Sequence, residues 1–254
     1  MQDEGSHNAG LKRHTLLDIR DDGRERILAE LTRDVLQEDL LRKKYEQVVL
    51  AHQTGVRIPA IVRRDEGPLT PELIPVGFSS PCYGSEGRLR IATFARAEEI
   101  ARVTTPYDLL ARETTPSRNS CTTALGLCHE SAGALGLVLG VWGSAALELY
   151  TGMPYTHEGS DLDLLVAAAP RQYLAEFMLK IASIESLFGL RVDTEVDLSS
   201  GYGVHLQELL GTGRTILGKS QTDVVLLLRE QVLAELPAET APASYREQFG
   251  GVHG

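Results

Sequence analysis

The sequence predicts an α+β protein: a mixed β-sheet with flanking helices in the C-terminal part, preceded by a smaller N-terminal α/β domain. Two long stretches, 24–52 and 170–188, repeat apolar residues at helical spacing with charges between them. Short apolar runs bounded by glycine, proline or charge recur along the chain, each of strand length. The composition shifts at ETTPSRN (113–119), where a linker separates the two parts. The predicted organisation is therefore a domain over 1–115, a second over 116–235, and a tail over 236–254 rich in Pro, Ala and Gly that reads as disordered.

The elements follow in order. RHTLLDI (13–19) reads as a short strand, and 24–52 as one or two amphipathic helices. VRIPAIVRR (56–64) and IPVGFSS (74–80) are strands separated by a Pro/Gly-rich turn. SPCYGSEGRLRIATF begins as a loop, with 77–87 taken as its variable part, and leads into another strand. IARVTTPYDLLA is a turn followed by a helix start. A helix of small residues runs from Cys121 to about Ala134, and LGLVLGVWG (135–143) is a buried strand. SAALELYTG is a helix stopped by Gly152 and Pro154. DLDLLVAA is the next strand, and PRQYLAEFMLKIASIESLF is a helix with proline at its first position. GLRVDTEVDL (189–198) and VVLLL (224–228) supply further strands.

Composition excludes several classes. The chain has 254 residues, 43% hydrophobic and 24% charged, and is ordinary for a globular protein. No apolar run approaches membrane-spanning length, and the charged first thirty residues contain no secretory h-region. Cys82, Cys121 and Cys128 show neither metal spacing nor an even count for disulfides, so a reducing cytoplasm is expected. The net charge of −10 argues against nucleic acid as a partner. Residues 121–254 carry 7 basic and 16 acidic side chains, so the acidity is concentrated in the C-terminal half. Arg63 and Arg64 offer a cationic pair to an anionic partner, although paired arginines are more often simply solvated.

The informative stretch is VWGSAALELYTGMPYTHEGSDLDLLV (141–166). Strand alternation puts Asp161 and Asp163 on one face, with Leu162 and Leu164 opposite. Two such carboxylates repel unless a cation lies between them. Magnesium takes oxygen ligands and leaves positions for phosphate oxygens. Gly143 and Ser144 stand where a strand turns into a helix, a place where backbone approaches a ligand closely and N–H groups bind anions. Phosphate at one end and metal at the other point to phosphoryl transfer. A third acid is expected from the neighbouring strand, where Asp193 and Glu195 share a face and periodicity does not choose between them. Lys219 is placed to offset phosphate charge. Ser160 either contacts ligand or caps its loop. His129, His157 and His205 show no ligand spacing and read as surface or loop residues, and Trp142 reads as core.

Gly-Ser, a helix and a strand-borne D-x-D resemble the polymerase-β type of nucleotidyltransferase, although the 16 residues between Ser144 and Asp161 exceed that superfamily's commonest gap. GSAALELYTGMPY followed by SDLDLLV is more particular, and resembles the malonate decarboxylase holo-acyl-carrier-protein synthases, the phosphoribosyl-dephospho-CoA transferases. RHTLLDI, IVRR, IPVGFSSP, VDTEV and LGKS extend the likeness over most of the chain. The resemblance implies a nucleotidyltransferase-like mixed sheet and transfer of a phosphoribosyl-dephospho-CoA group from 2′-(5″-triphosphoribosyl)-3′-dephospho-CoA. The acceptor it implies is a serine of the apo acyl-carrier subunit, with pyrophosphate released. It implies Mg²⁺ on Asp161 and Asp163, completed by Glu195 or Asp193, and a triphosphate cradled by Gly143 and Ser144 near Lys219. Arg63 and Arg64 would face the carrier or the dephospho-CoA arm. The competing expectations are an ordinary nucleoside triphosphate with another acceptor, and a non-catalytic binding protein on the same fold.

Overall fold

The structure, a computed structural model, describes residues 11–33, 39–50, 56–64, 72–84, 87–111 and 117–238. All of the predicted tail beyond residue 238 lies outside these. The chain groups into two compact units: Met1–Pro106 with Leu147–Tyr155, and Tyr107–Ala146 with Thr156–Gly254. No helix among the described residues is long and apolar enough to cross a membrane.

The first unit is built on a five-stranded sheet in the order β4-β3-β2-β1-β5. Its strands are β1 (Leu16–Ile19), β2 (Ala60–Val62), β3 (Leu73–Gly84), β4 (Gly87–Arg96) and β5 (Ile100–Thr104). Every pairing is antiparallel, so the unit mixes helix and strand without a parallel βαβ crossover. Helices α1 (Asp21–Thr32) and α2 (Asp39–Val49) divide the long amphipathic stretch. They bring Ile27, Val48 and Val49 into a core with Ile19, Val76 and Phe78. The segment from 77 is not a loop: β3 continues to Gly84 and pairs with β4, with a register irregularity between Ser79 and Tyr83. Ser, Gly and Cys interrupt the apolar alternation there, and the long partner strand supplies the pairing that the local pattern does not announce. Likewise β5 forms where a turn is expected, because β1 offers it a free edge.

Two charged side chains organise this unit. Arg24 is buried, and its guanidinium donates to the carbonyls of Ile19 (2.8 Å), Val49 (2.6 Å) and Ile58 (2.8 Å). It thereby joins the end of β1, the end of α2 and the approach to β2, satisfying itself on backbone rather than on a carboxylate. Arg26 donates to both oxygens of Glu99, at 2.5 and 2.8 Å. Gly23 permits this closeness, since a Cβ there would lie 2.8 Å from the Glu99 Cβ.

Residues 147–155 return to the first unit. Tyr155 donates its hydroxyl to the Ser79 carbonyl (3.0 Å), and Arg88 donates to the Tyr155 carbonyl (2.5 Å). Arg102 donates to the Tyr150 hydroxyl (2.7 Å) and to Asp18 (2.9 Å). Glu148 accepts from the Tyr155 backbone N–H at 3.0 Å. These anchors are side-chain contacts between distant segments, which linker composition does not reveal.

The second unit holds α3 (Pro106–Leu110) from Tyr107 on, α4 (Ser120–Ala134), and a six-stranded mixed sheet. Its strands are β6 (Leu139–Val141), β7 (Leu162–Ala167), β8 (Val192–Asp197), β9 (Gly203–His205), β10 (Thr215–Lys219) and β11 (Val224–Leu228), in the order β11-β10-β9-β8-β7-β6. Only β7 and β8 are parallel, and α6 (Arg171–Phe188) makes the crossover between them. Leu174, Phe177, Ile181 and Ile184 form its buried stripe at helical spacing, and Gly189 (φ 64°) ends it in the left-handed conformation. Pro170 stands at the N-cap, one residue before the first helical turn. Helices α7 (Leu206–Leu210) and α8 (Arg229–Glu235) pack beside β10 and β11.

Candidate active site

The site is assembled at the start of α5 (Gly143–Thr151) and along one face of the second sheet. The chain leaves β6 through Trp142, whose backbone N–H donates to the Asp163 carbonyl (3.1 Å) and whose indole donates to the Leu164 carbonyl (3.2 Å). Trp142 thus braces the sheet. The backbone then turns through Gly143 at φ +67°. A Cβ at this position would lie 2.1 Å from Asp163 Oδ2, so the glycine is required by conformation and by space at once. Ser144 follows in the first turn of α5.

On β7, Leu162, Leu164 and Val166 are fully buried on one face, and Asp163 points from the other. The strand begins at Leu162, which leaves Asp161 exposed at its mouth. Asp161 is nonetheless fixed through its backbone: its carbonyl lies 3.6 Å from the buried Cys121 thiol, a sulfur hydrogen bond. The loop ahead of it is held by the N-terminus of α4. Asn119 caps that helix, accepting from the Thr122 N–H (3.0 Å), and donates to Thr156 Oγ1 (2.9 Å). Arg118 donates to the Thr156 carbonyl (2.5 Å), and Ser120 donates to Glu158 through both its N–H and its hydroxyl. Within the loop, Ser160 Oγ accepts from the His157 N–H (2.9 Å), which is the capping role open to that serine.

Register carries the acids together. Asp163 stands directly beside Asp193 across the parallel pair β7–β8, and Glu195 beside Leu165. Side chains in register across neighbouring strands share a face, so Asp163, Asp193 and Glu195 project together. Across the antiparallel β8–β9 pair, Glu195 faces His205, whose Nε2 lies 3.0 Å from Asp193 Oδ1. His205 Nδ1 accepts from the Gln207 N–H (3.2 Å), which leaves Nε2 to carry the proton toward Asp193. The histidine read as a loop residue is therefore part of the acidic face. Only the register of β9, a three-residue strand that the sequence does not announce, brings it there. Lys219 ends β10 and places Nζ 2.8 Å from Oε1 of the buried Glu195. Arg191 lies 3.9 Å from Asp193. Asp197, next along β8, receives the Tyr107 hydroxyl at 3.3 Å.

Asp193 and Glu195 thus both have basic partners. The hydrogen bond from His205 holds the Asp193 carboxyl below its ordinary range, and the same bond raises the imidazole. Asp163 behaves oppositely: burial, then the charges of Asp193, Asp161 and Glu195, push its carboxyl up to about 7. Arg63 and Arg64 lie in the first unit, following β2, where the Arg63 backbone N–H donates to the Pro75 carbonyl (2.9 Å).

A glycine turn at a helix start abutting an acidic, partly neutralised sheet face suits an anionic ligand brought in beside a cation. Comparison with known proteins gives the particular family. Residues 12–106 match the model of the phosphoribosyl-dephospho-CoA transferase MdcG N-terminal domain, and residues 109–230 that of the C-terminal domain. A phosphoribosyl-dephospho-CoA transferase of Xanthomonas euvesicatoria is 34% identical over 172 residues, covering 68% of this chain and 79% of the relative. One from Bradyrhizobium diazoefficiens is 30% identical over 191 residues (73% and 80%), and one from Klebsiella pneumoniae 31% over 189 (68% and 81%). No solved structure matches. The chain belongs to the phosphoribosyl-dephospho-CoA transferase family.

Proposed function

We propose that this chain transfers the phosphoribosyl-dephospho-CoA group from 2′-(5″-triphosphoribosyl)-3′-dephospho-CoA to a serine of the apo acyl-carrier subunit of malonate decarboxylase. The observation that carries this reading is the Asp163 carboxylate set against the Gly143 turn, in a chain of this family. In the reaction the serine oxygen forms a bond to the phosphorus nearest the ribose. The bond from that phosphorus to pyrophosphate breaks, and the serine proton is released.

The chain's own residues divide the work. Gly143 and Ser144 present the start of α5 to the triphosphate. Lys219 and His205 temper the carboxylates on which an anionic donor must close. Arg63 and Arg64, on the first unit, we assign to the carrier or the dephospho-CoA arm. Magnesium suits the donor atoms available: it binds one or two carboxylates with substrate phosphates and water rather than an all-protein cage. The observation that favours a cation here is the state of Asp163: burial and the neighbouring carboxylates of Asp193, Asp161 and Glu195 push its carboxyl up to about 7, a repulsion that a bound cation would relieve. Asp161 and Asp163 would hold the ion, with Glu195 beside them on Lys219. When bound, it would offset the triphosphate charge and polarise the attacked phosphorus.

The test is the intact mass of the apo acyl-carrier subunit after incubation with this protein, the donor and Mg²⁺, beside an EDTA control. A metal-dependent gain of one phosphoribosyl-dephospho-CoA group is expected. An unchanged mass, with Mg²⁺-dependent pyrophosphate release from an ordinary nucleoside triphosphate instead, would replace this reading.

A further inference from the structure

The acidic face does not end at Lys219. Lys219 pairs with Gly203 of β9 and with Val224 of β11, and Leu217 pairs with Leu226. Thr215 pairs with Leu228. By the same register rule, Leu217, Val224, Leu226 and Leu228 stand on the face that carries Asp163, Asp193, Glu195 and His205. There they form an apolar patch on the outermost hairpin: Leu217 is 37% exposed, Val224 43%, Leu226 72% and Leu228 41%. The opposite face of the hairpin is covered, with Ile216 and Gly218 buried. A strand whose outward face is Val, Leu and Leu, at the edge of a sheet, is a surface shaped for a partner.

We propose that this patch docks the acceptor protein, the carrier whose serine is modified; the inference rests on the transfer reading above. Three considerations choose that occupant. The donor is polyanionic, and its charge belongs with the cationic groups and the helix start rather than on uncharged leucines. A second copy of the chain needs more than this: four partly exposed side chains offer far less than the roughly 800 Å² per partner of a standard interface, but suit a transient encounter. The acceptor, finally, must deliver a hydroxyl to the acidic face while touching the enzyme close by. β11 is three strands from β8, about 14 Å at the usual strand spacing. That is a span one small protein covers while its serine reaches the acids. Lys219 joins the two regions, with its ammonium on Glu195 and its backbone beside Val224.

The experiment uses the full chain with Leu226→Asp, Leu217→Asp and, as a conservative control, Leu226→Met. The readouts are kinetics with varied carrier, titration of carrier binding, titration of the donor, and sedimentation. The proposal expects the Asp variants to raise KM for the carrier at least tenfold and weaken carrier binding equally. Donor affinity should be unchanged, and Leu226→Met should behave as wild type. Carrier KM and binding unaltered in both Asp variants would overturn it. So would a wild-type dimer that dissociates on Leu226→Asp, which would give the patch to a second copy. If wild type binds the carrier without modifying it, and Leu226→Asp abolishes that binding, the docking surface stands and the transfer reading falls. If wild type modifies the carrier and both Asp variants modify it with unaltered KM, the transfer reading stands and the docking surface falls.

Discussion

The Asp163 carboxylate fills the space that a side chain at Gly143 would need, with Oδ2 2.1 Å from where a Cβ would stand. The glycine is also at φ +67°, a conformation that costs other residues about 1–3 kcal/mol. Gly143→Ala is therefore expected to lower unfolding free energy by at least that amount in urea titrations. Transfer should fall by about 100-fold or more, because a displaced reacting group of even 1 Å is that costly. A variant with wild-type rate would show that the close approach is incidental.

Lys219 and Glu195 form the second testable pair. Glu195 is buried, so Lys219→Met removes a charged hydrogen-bond donor from its carboxylate and should destabilise the protein by about 1–3 kcal/mol. Adding Glu195→Gln to Lys219→Met should restore most of that loss, since the buried charge is then removed together with its lysine. Activity should not return with it. Thermal unfolding and transfer assays on the two single variants and the double variant separate the stability role from the chemical one.

The first unit should be acid-sensitive through Glu99. Burial tends to raise its carboxyl, but the bonds from Arg26 and the Arg96 N–H outweigh this and hold it below its ordinary value. A lowered folded value means stabilisation that is complete above the unfolded carboxyl's range, near 4.5, and lost as pH falls through the folded value. Glu99→Gln should remove about 1–3 kcal/mol at pH 7 and flatten the stability profile below pH 4.5. An unchanged acid limb would place the sensitivity elsewhere.

Cys128 should be inert while the protein is folded. Burial, with smaller contributions from Glu185 and Cys121, pushes its thiol up to about 12, leaving almost no thiolate at pH 8. Alkylation followed by peptide-resolved mass spectrometry should find Cys121 and Cys128 unmodified in native protein and modified in urea. Rapid native labelling of Cys128 would show that α4 opens.

The sequence exposes the parts of the site that obey local rules. Asp163 against Leu162 and Leu164 follows from period-two alternation, and the Gly143 turn from a glycine between an apolar strand and a helix. Asp193 and Glu195 on one face follow from the same alternation. What lies beyond local pattern is pairing. β9 and β10 are GVH and TILGK, too short and too rich in glycine to announce themselves, and they exist because β8 and β11 flank them. His205 enters the site only through that register, which also determines that Glu195 has Lys219 and Asp193 has His205. In the first unit, β3 runs through a Ser/Gly-rich segment because nine residues of β4 pair alongside it. The attachment of 147–155 to the first unit depends on Tyr155, Arg88 and Arg102 meeting across long sequence separations.

The tie between the N-terminus of α4 and residues 156–161 bears on how the enzyme uses its substrate. Ordering one residue's backbone costs about 1–2 kcal/mol of entropy. A slack loop would levy that cost at each encounter, drawing it from the affinity for the donor. With Arg118, Asn119, Ser120 and Cys121 fastening the loop, its freedom is already spent when the chain folds. On the function proposed above, Asp161 would meet each incoming donor in one posture, and the energy of that meeting would remain for the transfer itself.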